Sequence, residues 1–233
     1  MQILEKILLA TDFTKSNDNA IESAIVMAKT FDSTITLLHI LPKDLGNEKA
    51  KMLLDRAATS QLKRLKELIN SEGVKTEEPI LEYGDHLGRI IKTSERIDAN
   101  MVLIGAGAKS KNEAFKLGTT AQNIIQKSDK PVMVIKSGKY LDIKKIICPV
   151  DFSEESTRAV ENAMILARRF NAELLILNVY DQTYKSSYTD SIDWDDLNNE
   201  LLQKQKKNFN IFLEGLNFAG IKWKKKIKRG DFS

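Results

Sequence analysis

An α/β fold with a doubly wound, open parallel sheet, present once in full and once in part, is what this sequence predicts. Short, near-continuous apolar segments alternate with longer amphipathic ones, and residues 6–41 align without a gap on residues 145–180. Strands that are apolar along their whole length belong to a parallel sheet covered by helices on both faces. Right-handed crossovers then leave few arrangements other than a doubly wound sheet. The alignment pairs Asp12 with Asp151, Phe13 with Phe152, Ala24 with Ala163, Ala28 with Ala167 and Leu38 with Leu177, which marks an internal duplication.

In the first copy, residues 6–10 form the opening strand, rich in leucine and isoleucine. Thr14 is the expected N-cap of a helix over 17–31, where Ala20, Ile21, Ala24, Ala28 and Phe31 recur at helical spacing. A second strand over 33–41 is followed by a loop through Pro42 and Gly46 and a long helix over 48–72, ended by Gly73. Residues 77–82 read as a third strand. Gly84-Asp85 supplies a turn and a cap for the helix that carries Leu87, Ile90 and Ile91. A fourth strand at 101–104 leads through a glycine-containing loop, 105–118, into a helix at 119–127, and a fifth, apolar strand follows at 131–135.

Residues 136–142 form the linker between a complete domain, 1–138, and a partial second copy, 139–233. The second copy reads as a strand at 145–150, a helix at 155–170, a strand at 173–180, a helix over 194–219 and a strand at 222–229. Gly230-Asp231 repeats Gly84-Asp85, so the sequence stops where a third helix is expected to begin, and the second copy is truncated after its third strand.

Composition narrows the function classes. With 42% hydrophobic residues in 233, the chain has enough apolar side chain for a core. The first apolar run is interrupted at once by Thr11 and Asp12, so neither a membrane span nor a secretory signal is expected, and the expected location is the cytoplasm. Cys148, the single cysteine, aligns with Leu9 inside a strand and reads as a packing residue. The net charge of +4 is exceeded by the six basic residues within 222–229, and no reading element for nucleic acid accompanies them. Charge at a sheet edge discourages unwanted strand pairing, and these lysines are read that way. Two histidines and one cysteine without clustering argue against a structural metal site. His39 becomes Asn178 in the second copy and reads as a packing residue at a strand end, while His86 follows a turn and reads as solvated.

In open α/β sheets ligands sit beyond the carboxyl ends of the strands, where the strand order reverses. Three segments of the first copy converge there: Ala10-Thr11-Asp12, His39-Ile40-Leu41, and the loop from Gly105 to Thr120. Glycines let backbone approach a ligand closely, and the helix opening at Gly118-Thr119-Thr120 directs amides at an anion. Lys109, Lys111 and Lys116 outnumber Glu113 in the same loop. The loop lacks the lysine-then-hydroxyl ending of a Walker sequence, and the chain has no G-x-S-x-G elbow.

The repeated Asp-Phe-[Ser/Thr] after the first strand, Leu-His-Ile in the second, Gly-Asp before the third helix and the glycine loop after the fourth strand together resemble a tandem universal stress protein. The resemblance implies the sheet order 3-2-1-4-5 and, in the nucleotide-binding branch, a Gly-x2-Gly-x9-Gly-[Ser/Thr] loop. Here Gly105 takes the first place, Ala108 the second and Gly118-Thr119 the last, so the middle glycine is absent. By resemblance, Thr11, Asp12 and Ile40 meet the adenosine end of ATP, with or without Mg²⁺, while Gly105, Ala108, Gly118, Thr119 and Thr120 surround ribose and phosphates. The resemblance further implies a regulatory stress-response role with an unidentified protein partner. Family members join domains through their fifth strands; with the second copy's outer strands missing, a homo-oligomer, most simply a dimer, is expected. A scaffold that binds no nucleotide, or a slow ATP hydrolase, are the alternatives. If the place of Ala108 needs a left-handed backbone, alanine there costs ~1–2 kcal/mol, about tenfold in affinity. Ala108→Gly is therefore expected to tighten ATP binding by up to about tenfold in a calorimetric titration.

Overall fold

The computed structural model describes residues 4–14, 17–44, 46–106, 117–136, 141–180 and 194–230, of which 194–197 as backbone only. The chain divides into two compact units, Met1–Leu141 and Asp142–Ser233. Unit 1 runs β1 (Lys6–Ala10), α1 (Asp18–Phe31), β2 (Thr34–Leu41), α2 (Glu48–Ser71), β3 (Ile80–Tyr83), α3 (His86–Arg96), β4 (Met101–Gly105), α4 (Thr119–Lys127) and β5 (Val132–Ile135). Its five strands are all parallel and lie in the order β3-β2-β1-β4-β5. Unit 2 contains β6 (Lys145–Val150), α5 (Glu154–Phe170), β7 (Glu173–Tyr180), α6 (Trp194–Glu214) and β8 (Trp223–Arg229), with a parallel sheet ordered β6-β7-β8. The doubly wound α/β fold is as the sequence predicts, with β8 and its lysines at a sheet edge.

The alternation of each strand distributes its apolar side chains to two layers. In unit 1, Leu8, Leu38, Ile40, Val102 and Ile104 face Ile90 of α3 and Ala121 and Ile124 of α4 in one core cluster. Helix α1 lies against β1 and β4, with Ala20, Ala24 and Ala28 buried at four-residue spacing, where small side chains let helix and sheet approach. The same logic repeats in unit 2, where Ala163 and Ala167 of α5 pack with Cys148, Val150, Leu174, Ile176 and Phe209. Cys148 is 5% exposed, and burial pushes its thiol pKa up, in keeping with a packing role.

The duplicated helices also stop alike. Asp32 after α1 and Asn171 after α5 occupy aligned positions, and both take the left-handed conformation at φ 55° and 50°. Short polar side chains tolerate that conformation better than most. At its other end α1 differs from the expected start. Asn17, rather than Thr14, is the N-cap residue; the Thr14 hydroxyl donates instead to Asp12 Oδ1 at 2.7 Å.

The two units differ most in one layer. Leu8 is fully buried under α3 and α4, while its aligned partner Ile147 is 62% exposed, because the described residues of unit 2 hold no helices equivalent to α3 and α4. Leu8→Ala is expected to destabilise unit 1 by ~2–5 kcal/mol, and Ile147→Ala to change unit 2 by no more than about 0.5 kcal/mol, both read by urea unfolding. An equal cost at the two positions would mean that the β6 face is covered in solution.

Candidate functional site

The strand order places a crevice where β2 leaves β1 on one side and β4 leaves it on the other, and a cleft of about 310 Å³ opens there. The cleft is lined by Thr11 and Asp12 after β1, Ile40 of β2, Gly105 at the end of β4, and Gly118, Thr119 and Thr120 at the start of α4. Seven of the eight residues singled out from the sequence are thus brought together. The eighth, Ala108, lies outside the described residues, as do Lys109, Lys111, Glu113 and Lys116. Leu38, Ile90, Ile104, Ala121 and Ile124 supply an apolar wall that no sequence motif marked. His86, exposed at the first position of α3, also reaches the cleft.

Each wall has a local cause. Thr11 continues the β1–β2 ladder through its amide, which donates to the Leu38 carbonyl at 2.9 Å, and is buried. The chain then bends sharply: Phe13 sits at φ 58° and its aligned partner Phe152 at φ 71°, a region that bulky residues rarely enter. Such strain costs ~1–3 kcal/mol and persists only where neighbours enforce it. The Phe13 ring stacks on His39 at 4.1 Å between centroids, and Phe152 packs on Phe209 and Phe212 at 5.4 and 5.6 Å. The bend leaves Asp12 exposed at the rim, where Oδ1 accepts from the Thr14 amide at 3.0 Å as well as from the Thr14 hydroxyl. Asp12 thereby fixes its own turn rather than capping α1.

His39 makes that bend rigid. Its Nδ1 donates to the Thr11 carbonyl at 2.7 Å, and Asn178 of unit 2 does the same to Val150 through Nδ2 at 2.9 Å. A carbonyl can only accept, so the shared role requires a donor and not an imidazole. Burial pushes the His39 pKa down, opposed by the hydrogen bond to Thr11; nearby His86 lowers it further and Asp12 raises it.

At the far side of the cleft, α4 starts without a side-chain cap; its first intrahelical bond runs from the Gln122 amide to the Gly118 carbonyl at 3.0 Å. Amides ahead of that bond project along the helix axis, where an anion is favoured. Gly118 does not use a positive φ: it lies at φ −64°, ψ 152°, and its lack of a side chain matters because a methyl there would stand 3.3 Å from the Ala106 carbonyl oxygen. Gly105 is similar, since a methyl there would stand 2.9 Å from Asn17 Oδ1. Both glycines serve close approach rather than a left-handed turn.

Asn17 is a buried polar residue of the cleft wall that the sequence did not single out. It lines the cleft, is 5% exposed, and its Oδ1 is buried without a hydrogen-bond partner. Leaving such an acceptor unpaired costs ~1–3 kcal/mol. The one available signal was a helix-start asparagine aligned with Ser156 of the second copy. In unit 2 the corresponding loop is closed on itself: the Ser153 hydroxyl, then the Ser156 hydroxyl and the Ser153 amide, hold the Asp151 carboxyl down at about 2. Among the described residues no three His, Cys, Asp or Glu side chains converge to hold a metal ion, and no helix is long and apolar enough to cross a membrane.

The profile of the Universal stress protein family matches residues 4–136 and again residues 142–232. The chain belongs to the universal stress protein family. Its two matched stretches make the arrangement tandem. A universal stress protein of Methanocaldococcus jannaschii is 28% identical over 145 residues, which cover 59% of this chain and 85% of the relative. The crystal structure of a universal stress protein from Archaeoglobus fulgidus superposes with a TM-score of 0.69 at 21% identity, over 97% of this chain and 77% of that one, a likeness of fold. A universal stress protein from Archaeoglobus fulgidus has also been solved in complex with dAMP; it is 22% identical, with a TM-score of 0.45 over 58% of this chain and 100% of its own.

The geometry of this universal stress protein gives a pH prediction. Because the native state holds the His39 pKa below its ordinary value, the unfolded chain binds more protons as pH falls below about 6.5. Stability contributed by neutral His39 is therefore full above that value and declines through the window between it and the lower native pKa. His39→Asn, which keeps a donor for the Thr11 carbonyl, is expected to flatten this acid-side decline in the unfolding temperature of unit 1.

Proposed function

We propose that unit 1 binds an adenine nucleotide, ATP, and that occupancy of the cleft regulates the conformation or partner surface of a cytoplasmic stress-response protein. The observation that carries this reading is the meeting, in one cleft, of an apolar wall and an uncapped helix start. The cleft volume falls at the lower end of the ~300–1,000 Å³ found for small-molecule sites. The apolar surfaces of Leu38, Ile40, Ile90 and Ile104 suit a flat base, and the amides at Thr119 and Thr120 suit phosphate. In this reading Thr11, Asp12 and Ile40 meet the adenosine end, and Gly105, Ala108, Gly118, Thr119 and Thr120 border ribose and phosphates. Asp12 is the cleft's only carboxylate among the described lining residues, which does not make a cation site by itself; Mg²⁺ would be held chiefly by the phosphates it arrives with.

The domain assignment 1–138 and 139–233 makes unit 1 the binding domain and the partial copy a partner surface. Homo-oligomerisation is part of the same proposal. Its support is that β5 and β6 are outermost strands of their sheets, and unpaired apolar edges recruit other strands.

Calorimetric titration of the full chain with MgATP is expected to give a single site per chain. Gly118→Val should weaken binding by at least about tenfold, because the added bulk stands against the Ala106 carbonyl and in the path of the phosphates. Unchanged affinity in that variant would overturn the assignment of the cleft.

A further inference from the structure

Asn17 departs from every other polar N-cap residue described in the molecule. Asn47, Asp85 and Ser153 each accept a hydrogen bond from the amide three residues on, at 2.8, 2.7 and 3.1 Å. Asn17 begins α1 in a helical conformation, φ −93°, ψ −7°, and makes no such bond. Its side chain instead lies between the end of β4 and the cleft, next to Gly105, where any larger residue would press on Oδ1. The aligned residue of unit 2 shows the alternative. Ser156 Oγ donates to Asp151 Oδ1 at 2.6 Å and accepts from the Asp151 amide at 3.0 Å, so that its polar atom is consumed within the loop. Unit 1 carries a longer side chain at this place, leaves its oxygen unpaired, and keeps a glycine beside it.

An amide oxygen can only accept, so what completes it must be a donor. We infer that Asn17 Oδ1 accepts a hydrogen bond from the nucleoside held in this cleft, from a ribose hydroxyl or an exocyclic amino group, and so makes the site selective for ligands that carry that donor. The inference rests on the nucleotide reading above. Sites that pair a buried polar atom with the ligand discriminate strongly against analogues lacking the partner, because the protein group is then left unpaired. Thr11, whose Oγ1 already accepts from the Phe13 amide at 3.2 Å, and Asp12, whose Oδ1 is held by Thr14, are less available for this task.

The test is a titration of the full chain with MgATP and with analogues each lacking one donor: 2′-deoxy-ATP, 3′-deoxy-ATP and purine riboside triphosphate. Wild type, Asn17→Ala and Asn17→Ser are compared, and the unfolding temperature of each ligand-free protein is recorded. Asn17→Ala is expected to weaken MgATP by about tenfold without lowering the ligand-free unfolding temperature, since it removes an unpaired atom. One analogue should be weakened similarly on wild type and lose nothing further on Asn17→Ala, which also tells ribose from base as the source of the donor. Wild-type affinity for MgATP in both variants would overturn this inference and leave the nucleotide reading standing. So would a weakening that is equal for ATP and every analogue, or one accompanied by a lowered unfolding temperature in both variants. A wild-type chain that binds none of these nucleotides would defeat the nucleotide reading itself and this inference with it.

Discussion

β1 is hydrogen-bonded along both edges, to β2 on one side and β4 on the other, and its side chains are buried on both faces. A strand so enclosed can end only by turning outward between its neighbours, and parallel connections force β2 and β4 to depart over opposite sides of it. The cleft is the space this departure leaves. Thr11 still belongs to the ladder, whereas Asp12, one residue on, stands at the rim. Everything proposed for the site depends on that one-residue transition from sheet to crevice.

The transition is held by strain that both units share. A phenylalanine at positive φ follows the aspartate in each, and an aromatic neighbour in each presses on its ring: His39 for Phe13, Phe209 and Phe212 for Phe152. The carbonyl of the residue before the aspartate is fixed by a side-chain donor from the next strand in both, histidine in one and asparagine in the other. Conservation of the bend across the duplication therefore speaks for backbone geometry. What differs is the polar chemistry set on it. Unit 2 satisfies Asp151 within its own loop through Ser153 and Ser156, while unit 1 leaves the buried Asn17 oxygen without a hydrogen-bond partner and α4 without a side-chain cap.

Burial separates the units just as sharply. Ile147 and Leu177 of the second sheet lie on a face bordered by Lys224 and Lys226, while their counterparts in unit 1, Leu8 and Leu38, are part of the core beneath α3 and α4. The basic β8 edge is partly neutralised by the Lys224–Glu173 ion pair at 2.6 Å. Such exposed pairs contribute at most about 1 kcal/mol, so the lysines act mainly by their charge at the sheet edge.

The sequence by itself determined the order and type of the elements, the duplication, the buried role of Cys148 and the convergence of Thr11, Asp12, Ile40, Gly105 and Gly118-Thr119-Thr120 at one end of the first sheet. It did so because hydrophobic period, glycine placement and parallel topology are local or combinatorial constraints that few folds satisfy together. Only the tertiary structure decided which polar atoms remain open. Thr14, expected to cap α1, serves Asp12; His86 is exposed, as read, and also lines the cleft; and Asn17, the first residue of the expected helix, is buried with an unpaired oxygen. Periodicity tells which face of an element is apolar, but whether a polar side chain finds a partner depends on neighbours far away in sequence, here Gly105 on a different strand.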